Sequence, residues 1–257
     1  MLRAGLVAEG VTVVEQARVA AVEPGPVLVL AEERRISGSH LLVAAGRVPN
    51  VDGLGLEAAG VRTTVHGIAT DAGLRSLTNR RVYAAGDIAD PAGIGPRLLT
   101  HVGSYHAGIL ARRILFRLPA KLDYRALPRV IYTDPELAQV GLTEAEAGQG
   151  ARVVRWPFAE NDRAIAEGRT EGMAKLVATK HGKLLGAGIA GVNAGEMIGL
   201  WTRAVAQRLP LATLAGVITP YPTRAEVPKR AASVAVLQRL FARGPRFVAQ
   251  ALRRLPW

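Results

Sequence analysis

Two places in the 257-residue sequence set reactive side chains at spacings that suggest chemistry. In Val82-Tyr83-Ala84-Ala85-Gly86-Asp87 a single carboxylate follows a glycine at the end of an apolar run. Open α/β sheets place their ligands at the carboxyl ends of their strands, where a carboxylate accepts hydrogen bonds from ligand hydroxyls. Asp87 therefore suits a polyol or sugar, although the same residue type also serves as a plain turn or helix cap. Gly86 permits a backbone path that a β-carbon hinders and lets another molecule come close. The second place is Val217-Ile218-Thr219-Pro220-Tyr221-Pro222-Thr223-Arg224-Ala225-Glu226, where a phenol stands five residues before a carboxylate. With an ordinary pKa of about 10, Tyr221 is neutral at pH 7 and donates a hydrogen bond. Thr223 and Glu226 also have the spacing of an N-terminal capping box, which by itself explains Glu226. The chain has no cysteine, so it supplies no disulfide, thiolate nucleophile or cysteine-ligated metal.

The elements around these residues follow from pattern. Valine, tyrosine and small residues predict a strand at 82–85 covered on both faces. A second strand, Leu41 to Ala45, ends at the glycine turn Gly46-Arg47-Val48-Pro49-Asn50. Leu98-Leu99-Thr100-His101 opens a helix predicted over 101–118 from the helical spacing of Val102, Ala107, Ile109, Leu110, Ile114 and Leu115. Its basic last turn, Arg112, Arg113 and Arg117, suits the helix dipole, and its start can turn backbone N–H groups toward an anionic or polar ring. Residues 1–40 carry β-like pieces at Val11–Val14, Arg18–Val22 and Val27–Leu30, the last two separated by Pro24-Gly25-Pro26. Leu56 to Gly60 reads as a short helix closed by glycine.

The pattern changes near residues 119–125. Beyond it come a strand running into a turn over 129–136, a helix capped by Thr143, and a hairpin of 173–178 with 183–189 around Lys180-His181-Gly182. Two helices follow, Asn193–Leu209 and Arg224–Leu240. Gly186-Ala187-Gly188-Ile189-Ala190-Gly191 satisfies G-x-G-x-x-G but is rejected as a dinucleotide site. Its strand belongs to a hairpin rather than a βαβ unit, and no acid stands between Glu196 and Glu226 to take a ribose. Those glycines are expected to let a strand and a helix pack closely at a subunit interface.

The ordered set of Gly46, Gly86-Asp87, Leu98-Leu99-Thr100-His101, Tyr132-Thr133-Asp134-Pro135-Glu136 with Val140-Gly141, and Tyr221 with Glu226 resembles the FAD-dependent pyridine nucleotide-disulfide oxidoreductases, specifically the family's C-terminal half. The resemblance implies α/β and α+β architecture: the C-terminal part of a flavoprotein with two dinucleotide-binding domains, plus an α+β dimerisation domain. It places the end of an NAD(P)-binding domain at 1–40, the C-terminal part of the FAD-binding domain at 41–120 and the dimerisation domain at 121–257. It also implies that Asp87, behind Gly86, holds the ribityl chain of FAD. Leu98, Leu99, Thr100 and His101 would contact the flavin, and Gly46 would allow the nicotinamide side to approach. Tyr221 and Glu226 would reach across a homodimer into the other subunit's active site. Thioltransferring members carry histidine where Tyr221 stands, and mercuric reductases carry tyrosine, so the chain resembles the latter branch. The cysteine pair that delivers mercuric ion there is missing. The implied activity is an FAD-dependent NAD(P)H:disulfide or metal-ion oxidoreductase; the alternative is a non-catalytic dimerisation module or pseudoenzyme remnant. The family's two N-terminal fingerprints and redox cysteines would precede Met1. The chain is therefore a fragment, a split-gene product with its N-terminal half on a separate chain, or a degenerate relative.

The net charge of +12 suits anions and cofactor phosphates. Specific nucleic-acid binding is not expected, because aromatic residues make up only 5% and no zinc-finger or RNA-binding signature occurs. No apolar run approaches the roughly 18 residues of a membrane span, and the start makes a poor signal peptide, so a cytoplasmic protein is expected. The arginine-rich amphipathic stretch from Val234 to Trp257, broken by Gly244-Pro245, is expected to pack on its own domain with arginines in solvent.

Overall fold

The computed structural model describes residues 1–242 together with 247 and 253. It divides into two compact units, one of residues 15–123 and one of residues 1–14 with 124–257.

In the 15–123 unit, β1 (Val19–Glu23), β2 (Val27–Leu30) and β3 (Arg35–Ser37) form an antiparallel meander, Val22 facing Leu28 and Val29 facing Arg35. A second small sheet joins β4 (Thr63–Thr64), β5 (Gly67–Thr70) and β6 (Ala89–Pro91), with β5 parallel to β6. β5 is buried along its whole length. The unit's long helix, α2 (Thr100–Ile114), turns Val102, His106 and Ile109 inward at i, i+4 and i+7 and ends on Arg112 and Arg113. In the other unit, α1 (Leu2–Ala8) was not foreseen.

Residues 124–242 build an antiparallel five-stranded sheet in the order β7-β8-β11-β10-β9. Its strands are β7 (Arg129–Ile131), β8 (Glu136–Gly141), β9 (Arg152–Pro157), β10 (Met173–Ala178) and β11 (Leu184–Gly191). Between them lie α3 (Glu144–Ala147) and α4 (Asp162–Ala166); after them come α5 (Ala194–Ala206), α6 (Leu211–Ala215) and α7 (Glu226–Leu240). The core is this sheet's covered face with Ile198 and Trp201 of α5 and Val227, Ala231 and Ala235 of α7. Thr143 caps α3 in a full capping box with Glu146, as expected for that threonine.

Several expected elements are corrected. Leu41–Ala45 forms no strand and bends at Ala45, and Leu42 and Val43 are 89% and 74% exposed, so no neighbouring strand covers their apolar side chains. Val82–Ala85 makes one antiparallel bridge, Arg75 with Tyr83, and only Ala84 is buried. Its hydrogen bonds run to the 74–76 turn (Ser76 N to Val82 O, Ala84 N to Leu74 O), so a strand-forming sequence is left with a single partner segment. Val11–Val14 likewise finds no strand partner. Leu56–Gly60 is one hydrogen-bonded turn closing at Val61 N to Leu56 O, too short for a helix.

The G-x-G-x-x-G run lies inside β11, in the middle of the antiparallel sheet. A β-carbon at Gly186 would come inside 3.0 Å of the Leu142 carbonyl, and one at Gly188 would strike the Gln139 side chain. The glycines thus fit the sheet to its neighbouring strand and, at Gly191, to the ring of Phe158, which opens a short 3-10 turn. On α7 the inward face ends with Ala235. Val234 and Ala235 pack on the core as expected, whereas Leu237, about 200° round the helix from Ala235, and then Leu240 and Phe241 are exposed, which corrects the expected packing for those three residues. The Gly244-Pro245 break lies outside the described residues.

Candidate functional site

Gly86-Asp87-Ile88 forms a single 3-10 turn between the 82–85 segment and β6. Gly86 adopts φ +72°, a region that a side chain disfavours, and lies beside Gly103 of α2, whose Cα a β-carbon would meet at an ordinary contact distance of 3.9 Å. Its N–H donates to Nδ1 of His106 at 2.9 Å. Since a backbone N–H can only donate, that ring nitrogen is unprotonated. His106 is 1% exposed, and burial lowers its pKa from the ordinary value. The turn that carries Asp87 is therefore pinned to α2 by a neutral imidazole. The sequence reading missed this histidine; the available signal was its place on the i, i+4, i+7 buried stripe.

A stability change with pH follows. A histidine whose folded pKa is depressed contributes fully above its unfolded value and loses that contribution as pH falls through the folded one. The denaturation midpoint of the chain is expected to drop as pH falls below about 6.5, before most carboxylates titrate. A midpoint that stays level or rises over that range contradicts the pinning role.

Asp87 leaves 44% of its side chain exposed, and its Oδ2 lies 3.6 Å from Nη1 of Arg47. The same Nη1 donates to the Leu98 carbonyl at 3.1 Å. Arg47 thus ties the Gly46 turn, Asp87 and the Leu98–His101 segment together. Arg47 stood in plain view in the glycine turn, but nothing local to its sequence marks a contact 51 residues away. Gly46 itself is exposed with φ +117° and open space around it. Leu98 and Leu99 are half-buried, while Thr100 and His101 are exposed in the first turn of α2, whose N-cap, Leu99, offers no side-chain cap.

The other unit carries the phenol. Tyr221 is 71% exposed, and its hydroxyl donates to Asp162 Oδ2 at 2.8 Å. The hydrogen bond from the phenol to Asp162 and the charge of that carboxylate, with a smaller push from Glu226, raise its pKa above the ordinary tyrosine value. Glu226 is half-buried at the first position of α7, its Oε2 3.4 Å from the Thr223 N–H. The expected capping box is only half present: the Thr223 hydroxyl turns back to Pro220 O, because α7 begins after Ala225 rather than after Thr223.

The β9–β10 connection, unremarked in the sequence, holds this loop at three points. Asp162 takes the Tyr221 hydroxyl, Asn161 Nδ2 donates to Thr223 O at 3.0 Å, and Glu167 pairs with the buried Arg224. Asn161 is itself fixed by accepting the Ala164 N–H at 3.0 Å. Arg224 and Arg163 hold the Glu167 carboxyl below its ordinary pKa, the Arg224 hydrogen bond leading. Asp162→Asn is expected to bring the Tyr221 phenol down toward about 10, seen as the phenolate difference spectrum between that variant and one also carrying Tyr221→Phe. An unchanged titration excludes Asp162 as its partner.

Two family models match this chain. One describes the pyridine nucleotide-disulphide oxidoreductases and covers residues 1–115; the other describes their dimerisation domain and covers 127–232. The chain belongs to the pyridine nucleotide-disulphide oxidoreductases. It is 39% identical over 210 residues to dihydrolipoyl dehydrogenase of Bacillus subtilis, across 80% of this chain and 43% of that enzyme. It is 38% identical over 205 residues to mercuric reductase of Staphylococcus aureus, across 78% of this chain and 37% of that enzyme. Among solved structures, LpdA from Mycobacterium tuberculosis is similar at a TM-score of 0.81 and 28% identity, covering 94% of this chain and 52% of that one. The HOCl-induced flavoprotein disulfide reductase RclA from Escherichia coli follows at 0.80 and 25%, covering 90% and 54%. The chain therefore spans about half the length or less of these relatives. The mixed α/β architecture agrees with the family fold, and homologues in the family use FAD and NAD(P).

Proposed function

We propose that this oxidoreductase chain is the C-terminal portion of an FAD-dependent enzyme that passes reducing equivalents from NAD(P)H to a disulfide or a metal ion, in a homodimer. The observation that carries the reading is the cluster built by Arg47 around Asp87 and Leu98. At 3.6 Å the arginine holds the carboxylate without enclosing it, and the 44% exposed side chain keeps acceptor positions for hydroxyl groups. Gly86 adds no side chain beside it. These residues fit a hydroxylated tail and the polar edge of a ring.

Bound flavin supplies the hydride and electron chemistry, and the protein supplies position. Asp87 orients the ribityl hydroxyls, Leu98 to His101 line the ring region, and Gly46 leaves room for a nicotinamide to approach. In the 1–14 and 124–257 unit, Tyr221 presents a neutral hydroxyl whose proton is directed at Asp162. It could donate to a thiolate or metal-bound ligand from the partner subunit only by turning its single proton away from Asp162, and it is a poor base. Glu226 acts on that phenol through its charge. In this reading the NAD(P)-binding end lies at 1–40, the FAD-binding part at 41–120 and the dimerisation domain at 121–257.

The deciding measurement is a titration of FAD with the purified chain, followed by quenching of flavin fluorescence, with the oligomeric state read in parallel. Saturable quenching in a dimer is expected. A colourless, stable dimer with no flavin affinity overturns the assignment of the Asp87 cluster and leaves a dimerisation module.

A further inference from the structure

At the carboxyl end of α2 there is an open cleft of about 530 Å³, lined by Arg75, Tyr83, Arg113 and Arg117 with Ile114 and Leu118. It uses none of the residues assigned above. Two of its three guanidiniums are fixed by the protein itself. Arg75 Nε donates to Arg80 O at 2.6 Å, and its guanidinium lies 5.6 Å over the Tyr83 ring. Arg113 donates through Nη1 to Ala120 O at 3.1 Å and lies so close over Gly73 that a β-carbon there would come inside 3.0 Å of it. The acid beside them is Asp71, 3.8 Å from Arg113 Nη2, but its Oδ1 already accepts the Gly73 and Arg75 N–H groups. Arg113 Nε remains buried with no hydrogen-bond acceptor among the described residues, an arrangement that proteins rarely leave unanswered. The carboxyl end of α2 carries a partial negative charge that disfavours an anion, and the Leu118 N–H, closing on Arg112 O, relieves it only in part, so the guanidiniums must outweigh it.

We propose that this cleft binds an oligophosphate, either free or carried on a nucleotide. A guanidinium presents a planar fork of donors that matches phosphoryl oxygens, and pre-fixed forks lose little freedom on binding. Three positive groups against one occupied carboxylate leave an excess that a single carboxylate or chloride would not balance. A chain of phosphoryl groups meets more than one fork at once. Ile114 and Leu118, both exposed, give the open cleft one apolar side.

The test is calorimetric titration of the full chain with inorganic tripolyphosphate at low ionic strength, where such contacts are least screened. One-site binding is expected. Arg117→Gln, an exposed position, should weaken it about tenfold, and adding Arg75→Gln should bring the loss to about a hundredfold. Arg113 is left intact because its side chain braces the Gly73 turn, and circular dichroism verifies each variant's fold. Arg203→Gln on α5 removes the same charge elsewhere and should leave binding unchanged. No binding to the wild-type chain overturns the proposal, and so does an equal loss with Arg203→Gln, which would mean diffuse attraction to a +12 chain. ATP separates the two sources: affinity equal to that of tripolyphosphate assigns recognition to the phosphates alone, and tighter binding that is still lost in the double variant assigns a nucleotide. ATP binding indifferent to Arg75 and Arg117 places nucleotides elsewhere and contradicts the cleft. Flavin affinity depends on none of these residues, so either outcome leaves the redox proposal standing or falling on its own.

Discussion

Gly172→Ala is expected to destabilise the chain by about 3 kcal/mol or more, through a strained backbone and an overpacked sheet together. Gly172 enters β10 at φ +114°, a region that L side chains rarely occupy. A β-carbon there would come inside 3.0 Å of Ala190 O and C on β11, next to the Met173–Ala190 pair that closes the register of the two central strands. The backbone cannot yield cheaply, because the Gly172 carbonyl also accepts the Phe158 N–H at 3.1 Å and Phe158 is fully buried. Gly150→Ala makes the comparison: nothing lies within 4 Å of a β-carbon there and its φ is not positive. That variant should shift the urea midpoint little or slightly upward, since alanine narrows the unfolded ensemble. Equal midpoints for the two variants would show that the sheet accommodates a methyl group at its most crowded glycine.

Asp87→Ala should weaken FAD binding by about ten- to a hundredfold, the range for losing one or two hydrogen bonds to a charged acceptor at about 1.5 kcal/mol or more each. Asp87→Asn keeps acceptor geometry on one oxygen and should fall between wild type and alanine. Fluorescence quenching reads all three proteins. A fold check is informative here, because the turn is held mainly by the Gly86 N–H bond to His106 and not by the carboxylate, so the alanine variant should melt close to wild type. Unchanged affinity in a folded Asp87→Ala would remove this carboxylate from the cofactor site. It would also leave Arg47 with only the Leu98 carbonyl to explain its position.

What could be read from the sequence divides by the range of the interaction. The hairpin of β10 and β11, the cap at Thr143 and helices α2, α5 and α7 depend on periodicity and on neighbours within a few residues, and each appears close to its expected bounds. The two apolar runs at 41–45 and 82–85 have strand composition, yet a strand exists only where another lies beside it, and composition is silent on that. Asp87 and Tyr221 could be found because a glycine or a proline marks them locally. Arg47, Asn161, Asp162 and Glu167 could not, since their contacts span 51 to 62 residues. The capping reading at Thr223 erred by assuming where α7 starts, and helix starts are the least certain feature of any pattern.

The three-point grip of Asn161, Asp162 and Glu167 on the Tyr221–Arg224 loop makes the phenol hostage to a distant hairpin. Lengthening or shortening the segment between Pro157 and Met173 by a single residue would shift Asp162 against Tyr221 and so swing the hydroxyl with residues 217–226 unchanged. Relatives that drift in length there should differ in how they handle protons, even where the tyrosine itself is kept.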